Sequence, residues 1–487
     1  MPAPPTDPSD SGAARTDPRL IAAIVASALF MQNLDSSAVF TALPAMARDL
    51  NEPPARMGAA VTAYLVALTV FIPVSAWLAD RVGAKRLFLF ALALFAAASG
   101  ACAMSADLGA LVAARVVQGM AGAMMLPVAR LLVLRQARKD EIIRAMAWLT
   151  MPALLGPVAG PPLGGVLTDL FGWRAVFLVN LPVAVLGIAL AAWKIPPLPT
   201  RDPGPPDVVG LGLVGLALAS LMFGLETVGR GAVPAPLPEA ALLLGAVVGA
   251  LALRHCLRVA RPALDLSLLR VPSYFHSAVP ATLFRIGAGA SPFLVPTLLQ
   301  VGFGDGATEA GLLSFATALG ALGMKPLVGP VLARFGFRAT IVAGTLLAGA
   351  SVAACGLIGP GWPWCTVFLL LAAGGLVRSL MFTSLGVLSV ADLPPERLAN
   401  ATALSQTLQQ IAPALGVVLA TASLEASAAL SGRGEAALAA ADFAVAFLVA
   451  GLVAASAAPV FARMAADAGA SVSGRRPPAD RPTAGGA

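Results

Sequence analysis

GPVAGPPLGG, residues Gly156 to Gly165, lies inside a hydrophobic segment running from about Met146 to Asp169. Gly156, Gly160 and Gly164 recur every four residues, so on a helix they share one face. In lipid such a small-residue face lets two backbones approach closely, which larger side chains would prevent. Pro157, Pro161 and Pro162 would break a soluble helix, but membrane helices tolerate proline where neighbours re-satisfy the freed carbonyls. The stretch therefore predicts a kinked, smooth-faced membrane helix against which another helix can press and move. A tightly packed pair with no moving role fits the same spacing.

The rest of the chain agrees with a membrane setting. Of 487 residues, 58% are hydrophobic and only 12% charged, far from the soluble average. Apolar runs long enough to cross about 30 Å of hydrocarbon fall near 20–42, 57–78, 86–106, 108–134, 142–169, 174–194, 208–228, 238–258, 273–299, 308–331, 338–359, 363–391, 398–424 and 436–462. This predicts an all-α polytopic membrane protein with fourteen transmembrane helices. Alternate connections are rich in Arg and Lys (Arg81, Lys85, Arg86, Arg135, Arg138, Lys139, Arg144, Lys194, Arg201, Arg254, Arg258, Arg261, Arg270, Arg334, Arg338, Arg397), whereas the others carry only Arg48, Arg56, Arg174, Arg230 and Arg433. The positive-inside rule then puts both termini in the cytoplasm. The net charge of +7 matches anionic inner-leaflet lipid and calls for no nucleic acid.

Several function classes fall away. None of the lysines, Lys85, Lys139, Lys194 and Lys325, follows a glycine, so there is no GK[ST] phosphate loop, and ATP coupling is excluded for this chain alone. Cys102, Cys256, Cys355 and Cys365 are scattered, with no CxxC and only His255 nearby, which predicts neither disulfide nor metal site. The first 18 residues are Pro/Ser/Asp-rich and those after about 464 are Ala/Gly/Arg/Pro-rich; both tails read as disordered cytoplasmic segments. The first apolar run lacks a basic n-region and cleavage site, so it is not expected to be a removable signal.

Four motifs, taken in order, carry a resemblance. LDSSAVFTALP (Leu34–Pro44) places Asp35 within a membrane segment, where an acid costs roughly 3 kcal/mol on insertion scales and is functional by default. AWLADRVGAKR (Ala76–Arg86) has a degenerate copy in GPVLARFGFR (Gly329–Arg338), with Ala333 in place of the acid; two such loops are the repeat signal of a two-half transporter. RVVQGMAGAMMLP (Arg115–Pro127) puts Arg115 about seven residues from the outer end of its helix, roughly 10 Å deep, and Asp35 reaches a similar depth. The two can therefore meet. WRAVFLVNLP (Trp173–Pro182) follows the glycine helix.

Together these resemble the major facilitator superfamily, and within it the 14-helix drug:proton antiporters of the EmrB/QacA type, including a subgroup of multidrug exporters. Gly160, Pro161, Leu163, Gly164 and Gly165 match the antiporter motif. The resemblance covers about residues 20–462. It departs at Phe40, where the family has asparagine, and at Ala76 and Ala84 in the loop motif.

The resemblance implies a major facilitator fold: a six-helix half at 19–195, a linker and two extra helices at 196–260, and a second half at 261–463. It implies that the glycine helix packs between the halves, that Asp35 and Arg115 couple protons, and that Asp80, Arg81, Gly83, Lys85 and Arg86 form a cytoplasmic gate loop in which Asp80 caps a helix. The resemblance also places the extra pair outside the transport core; Glu226 near its outer end reads as interfacial.

The second half carries Arg285, Lys325 and Arg378 within apolar segments without an acid at comparable depth, and Lys325 can snorkel. Gln32, Gln118, Arg285, Arg378 and Gln406 are candidate cavity residues, and Gln406, Gln409 and Gln410 form an amide face that reads mainly as helix glue. If Arg285 and Arg378 line the cavity, neutral or anionic amphipaths are preferred over permanent cations; otherwise each is tied to carbonyls near Pro292 or Pro296.

The leading expectation is a proton-coupled exporter of amphipathic small molecules, a multidrug efflux antiporter in the bacterial inner membrane, working by alternating access. A carrier of organic anions on the same fold is the alternative. A non-transporting sensor or assembly factor is disfavoured by the intramembrane charges. No cofactor beyond the proton gradient is expected; the partners are bilayer, substrate and protons, and no motif encodes accessory export proteins.

Overall fold

The computed structural model describes residues 18–52, 54–137, 141–198, 200, 204–227, 234, 236–304, 307–431, 439–469 and 472. Among them there is no strand. Lipid cannot hydrogen-bond a bare backbone, so each apolar run closes its own ladder as a helix. The first half comprises α1 (Pro18–Asp49), α2 (Pro54–Val82), α3 (Ala84–Met104), α4 (Leu108–Gln136), α5 (Ile142–Phe171), and the short α6 (Arg174–Leu178) running on into α7 (Asn180–Lys194). An extra pair follows, α8 (Val208–Thr227) and α9 (Leu237–Cys256). The second half comprises α10 (Pro272–Thr297), α11 (Ala307–Met324), α12 (Val328–Cys355), α13 (Trp364–Ala391), α14 (Leu398–Leu430), α15 (Ala440–Ala455) and the short α16 (Ala458–Ala462). Twelve described segments are long and apolar enough to span a membrane. With α5 (30 residues) and α11 (18 residues) the chain has its fourteen crossings.

One boundary differs from expectation. The tenth segment does not run unbroken to 331: α11 stops at Met324, the chain turns through Lys325–Leu327, and α12 resumes at Val328 before bending at Gly336 (φ 77°). Gly83, between α2 and α3, has φ 96°. Both degenerate loop copies thus reverse on a glycine in a region that other L-residues avoid. Contact partners rise together along α11 and α13: Thr317 meets Gly375, Ser379 Oγ donates to the Ala321 carbonyl (2.8 Å) and Lys325 Nζ to Thr383 Oγ1 (3.0 Å). The two helices are therefore parallel, as are α1 and α5.

The end of the bundle bearing Arg81, Lys85, Arg86, Arg135, Arg334 and Arg338 is called the basic end below. There the halves share one core, in which Ala76, Ala79, Leu131, Leu134, Ile142 and Ile143 pack with Val328, Leu332, Leu388, Val390, Leu398 and Ala399. At the opposite end each half has its own core, Met46, Met57, Leu111 and Phe177 in the first and Leu294, Leu298, Val367 and Phe443 in the second. The molecule is thus closed at the basic end. The extra pair packs on α2 and α14, with Val70 and Ile411 against Val214 and Leu218.

Past residue 463 the chain does not immediately become a disordered tail. Met464 and Val472 are buried in the shared core. Residues 1–17 and 473–487 lie outside the described set, as does the side chain of Glu226.

Candidate functional site

A fully buried polar cluster sits inside the first half. Asp35 on α1, Arg115 and Gln118 on α4, Ser99 on α3 and Asn180 at the start of α7 are all essentially inaccessible to solvent. Arg115 Nη1 donates to Asp35 Oδ2 at 2.7 Å. Asp35 Oδ1 accepts from Asn180 Nδ2 (2.7 Å) and Gln118 Nε2 (3.1 Å). Both amides also donate to Ser99 Oγ, at 3.2 and 2.7 Å. Arg115 Nε reaches the Ala60 carbonyl (3.4 Å), and its guanidinium lies 4.3 Å from the centre of the Tyr64 ring.

A buried ion pair survives only when its remaining hydrogen-bonding capacity is met, because desolvating the two charges costs several kcal/mol per ion. Here both carboxylate oxygens are satisfied, and on the cation Nη1 and Nε are bonded and the Tyr64 ring covers one face, while Nη2 has no hydrogen-bond partner. Removing either partner would leave an uncompensated charge, so the cluster is neutral only as a unit. Five helices contribute to it, and any shift of α1 against α4 and α7 must break it.

The sequence pattern explains how these helices are held. Gly156 on α5 faces the backbone of Asn33 and Leu34, where an added Cβ would lie 2.6–3.0 Å from α1 atoms; Gly160 faces Ser37, and Gly164 faces Ala38 and Thr41. Ser37 Oγ also donates to the Gly156 carbonyl (3.2 Å). The glycine face thus packs on α1 within the same half, while α5 as a helix also meets α11, α12 and α13 of the second half. Gly165 has open space around it, and Pro161 lies outside the described side chains. The Trp-Arg-…-Asn motif acts at two levels: Trp173 Nε1 and Arg174 Nη1 donate to Asp49 at the end of α1 (3.0 and 2.6 Å), while Asn180 reaches Asp35.

The loop residues take different places. Asp80 caps no helix; its Oδ1 accepts from Arg135 Nη2 of α4 at 2.7 Å, because α2 continues to Val82 and Gly83 begins α3 without a side-chain cap. Lys85 Nζ donates to the Ala192 carbonyl (2.8 Å), Arg81 lies over the Trp77 ring (5.3 Å), and Arg86 is exposed.

The expected cavity residues do not form one group. Gln118 belongs to the ion-pair cluster, and half-buried Gln32 sits beside Tyr64 and Gly122. Arg285 does not reach carbonyls near Pro292 or Pro296. It runs back along its own helix, with Nη1 3.5 Å from the Ser277 carbonyl. Arg378 is half-buried beside Cys355 of α12, so the two arginines do not share a site. Lys325 does not snorkel; it is buried on Thr383. Gln406 is buried with Nε2 unpartnered.

This geometry can be set beside known proteins. The Major Facilitator Superfamily model matches residues 25–260 and 278–485. The chain belongs to that superfamily. It is 38% identical over 399 residues to "Putative multidrug resistance protein MdtD" of Cronobacter sakazakii, covering 82% of this chain and 84% of the relative, and 37% identical to the protein of that name from Citrobacter koseri over the same shares. Among solved structures, the human organic anion transporter MFSD10 (TETRAN) superposes with a TM-score of 0.66 over 91% of this chain and 99% of its own, at 16% identity; that likeness shows the fold alone. This facilitator is a multi-pass membrane transporter of small molecules, not an enzyme.

Three residues of the cluster escape sequence reasoning. Asn180 lies inside a motif whose aromatic and basic positions draw attention first. Ser99 and Tyr64 are isolated polar positions on apolar helices, and only the depth match with Asp35 could have singled them out. Arg130, near the basic end of α4, passes for a charge anchor in sequence but is 6% exposed.

Proposed function

We propose that the chain is a proton-coupled exporter of amphipathic small molecules, a multidrug efflux antiporter that works by alternating access with Asp35 carrying the proton. The observation that supports this best is the buried Asp35–Arg115 pair, clasped by Gln118 and Asn180 between helices that must move. Movement of α1 against α4 and α7 would break this pair, which ties the proposed proton carrier to the helix motion of transport. One proton moving down 100 mV supplies about 2.3 kcal/mol, enough for a substrate ratio of order fifty. The name carried by the bacterial relatives agrees with export of drugs. The Lys and Arg of the basic end support a cytoplasmic position for it, and its packed core would then shut the cytoplasmic side.

The test is substrate uptake into everted vesicles driven by a pH gradient. Asp35→Asn keeps the shape but leaves the Arg115 charge uncompensated, so the inserted protein should melt at a lower temperature and, per molecule inserted, lose gradient-driven transport. Undiminished pH-driven transport in that variant overturns the assignment.

A further inference from the structure

Arg130 of α4 and Arg285 of α10 come from opposite halves, and both act near the closed end. Arg130 lies six residues before Gln136, about 9 Å from the end of its helix. Arg285 folds back to the level of Ser277, five residues into α10 and about 8 Å from its start. The depths match, and each guanidinium lies within electrostatic reach of the other and of Tyr274. Arg130 also penetrates the second half, where its Nη2 lies 3.3 Å from the place of a Cβ on Gly386 of α13. The two side chains are 6% and 5% exposed, and Nε of each has no hydrogen-bond partner. Among the described residues neither makes an ion pair with a carboxylate. The nearby Asp265 is held by Arg397 at 2.8 Å.

Two buried guanidiniums within electrostatic reach of each other, neither in an ion pair with a carboxylate, are unfavourable three times over. Each is desolvated, they repel, and arginine does not deprotonate to escape. Packing gains nothing from such an arrangement, and an apolar residue of similar volume would serve stability better. An oxyanion placed between them reverses every sign, since planar guanidiniums match carboxylates in bidentate geometry.

We propose that Arg130 and Arg285 form a carboxylate-binding site between the halves, so that the cargo is a small amphipath bearing a carboxylate. Because the arginines sit on opposite halves, the bound anion cancels their repulsion and favours closure of the basic end around it. The full burial leaves no path for a lipid headgroup while that end is packed. This deepens the export reading by naming the cargo's charge, yet the site is readable by equilibrium binding with no proton gradient, whether or not Asp35 couples transport.

The probes are two dyes on one ring system, anionic carboxyfluorescein and cationic rhodamine 123, bound to the full chain in nanodiscs and followed by fluorescence anisotropy. The anionic dye should bind at least about tenfold more tightly, and benzoate but not benzylamine should displace it. Arg130→Met and Arg285→Met should each cut anionic binding about tenfold or more, with the ligand-free melting temperature unchanged or raised. A merely structural arginine would instead lower that temperature and leave the dye preference intact. Preference for the cationic dye in the wild-type chain, or equal displacement by benzoate and benzylamine, overturns the proposal without any variant having to fold.

Discussion

Replacing Gly164 with alanine adds one methyl group where α5 touches α1. The new Cβ would stand 2.6 Å from the Ala38 carbonyl oxygen and 2.9 Å from Ala38 Cα, against an ordinary contact of 3.4 Å or more. These are backbone atoms, so no rotamer change relieves the clash, and the helices must separate by about 0.5–0.8 Å (3.4 − 2.9 to 3.4 − 2.6). Such overpacking costs about 1–3 kcal/mol. Because α1 carries Asp35, the displacement is felt at the 2.7 Å contact with Arg115. If the cost falls on one state of the transport cycle, the rate drops roughly 5- to 150-fold. The adjacent motif glycine gives the contrast. A Cβ on Gly165 meets nothing within 4 Å, and alanine is favoured over glycine in a helix by about 1 kcal/mol. Gly165→Ala should therefore insert and transport like the wild type and melt at the same or a somewhat higher temperature. Dye uptake into everted vesicles under an imposed pH gradient, normalised to inserted protein, reads both variants. Wild-type transport by Gly164→Ala, or equal damage in the two variants, refutes the packing argument.

Asn180→Ala removes one donor from Asp35 Oδ1 and should destabilise the folded state by about 1–3 kcal/mol, measured as a lower melting temperature that Asn180→Gln only partly restores. Arg135→Ala unpairs Asp80 near the closed end and should raise the labelling rate of a cysteine introduced at Ala79, probed with a membrane-impermeant maleimide; an unchanged rate would separate that pair from gating. Asp207 gives a pH signature. Desolvation pushes its carboxyl up, but bonds from His255 and from the Gly210 and Ala263 amides outweigh it, and the balance holds it below the usual 3.8. A depressed acid contributes stability above its unfolded-state value and loses it as pH falls through the lower folded one. The melting-temperature gap between wild type and Asp207→Asn should thus be open at neutral pH and close below about pH 4.

Much of the fold was legible because lipid imposes a simple rule on sequence. Fourteen apolar runs gave fourteen crossings, and the repeated Ala-Asp-Arg and Leu-Ala-Arg loops marked the two halves before Gly83 and Gly336 showed the same reversed backbone. The meeting of Asp35 and Arg115 was legible from depth alone, since helix rise converts position into height. What sequence withheld is azimuth. Periodicity shows that Gly156, Gly160 and Gly164 form a smooth face, not which helix meets it, and α1 rather than the other half turned out to be the partner. Arg285 was misplaced for a related reason: long side chains lean toward the start of their helix, so its charge acts well below its Cα. Asn180 illustrates a third gap, because a neutral amide in a membrane helix gains meaning only once its neighbour is known.

The inserted helices α8 and α9 give the molecule a handedness that its two similar halves lack. By resting on Val70 of α2 and Ile411 of α14 they roof one of the two seams where the halves meet. The linker is tied down beneath them, with Trp77 donating to the Gly204 carbonyl (3.1 Å) and Asp207 bound to His255 (2.9 Å). The other seam, between α5 and α11, has no described helix laid over it. The two seams therefore differ in their lipid-facing cover, one lying behind α8 and α9 and the other facing outward without a described helix over it.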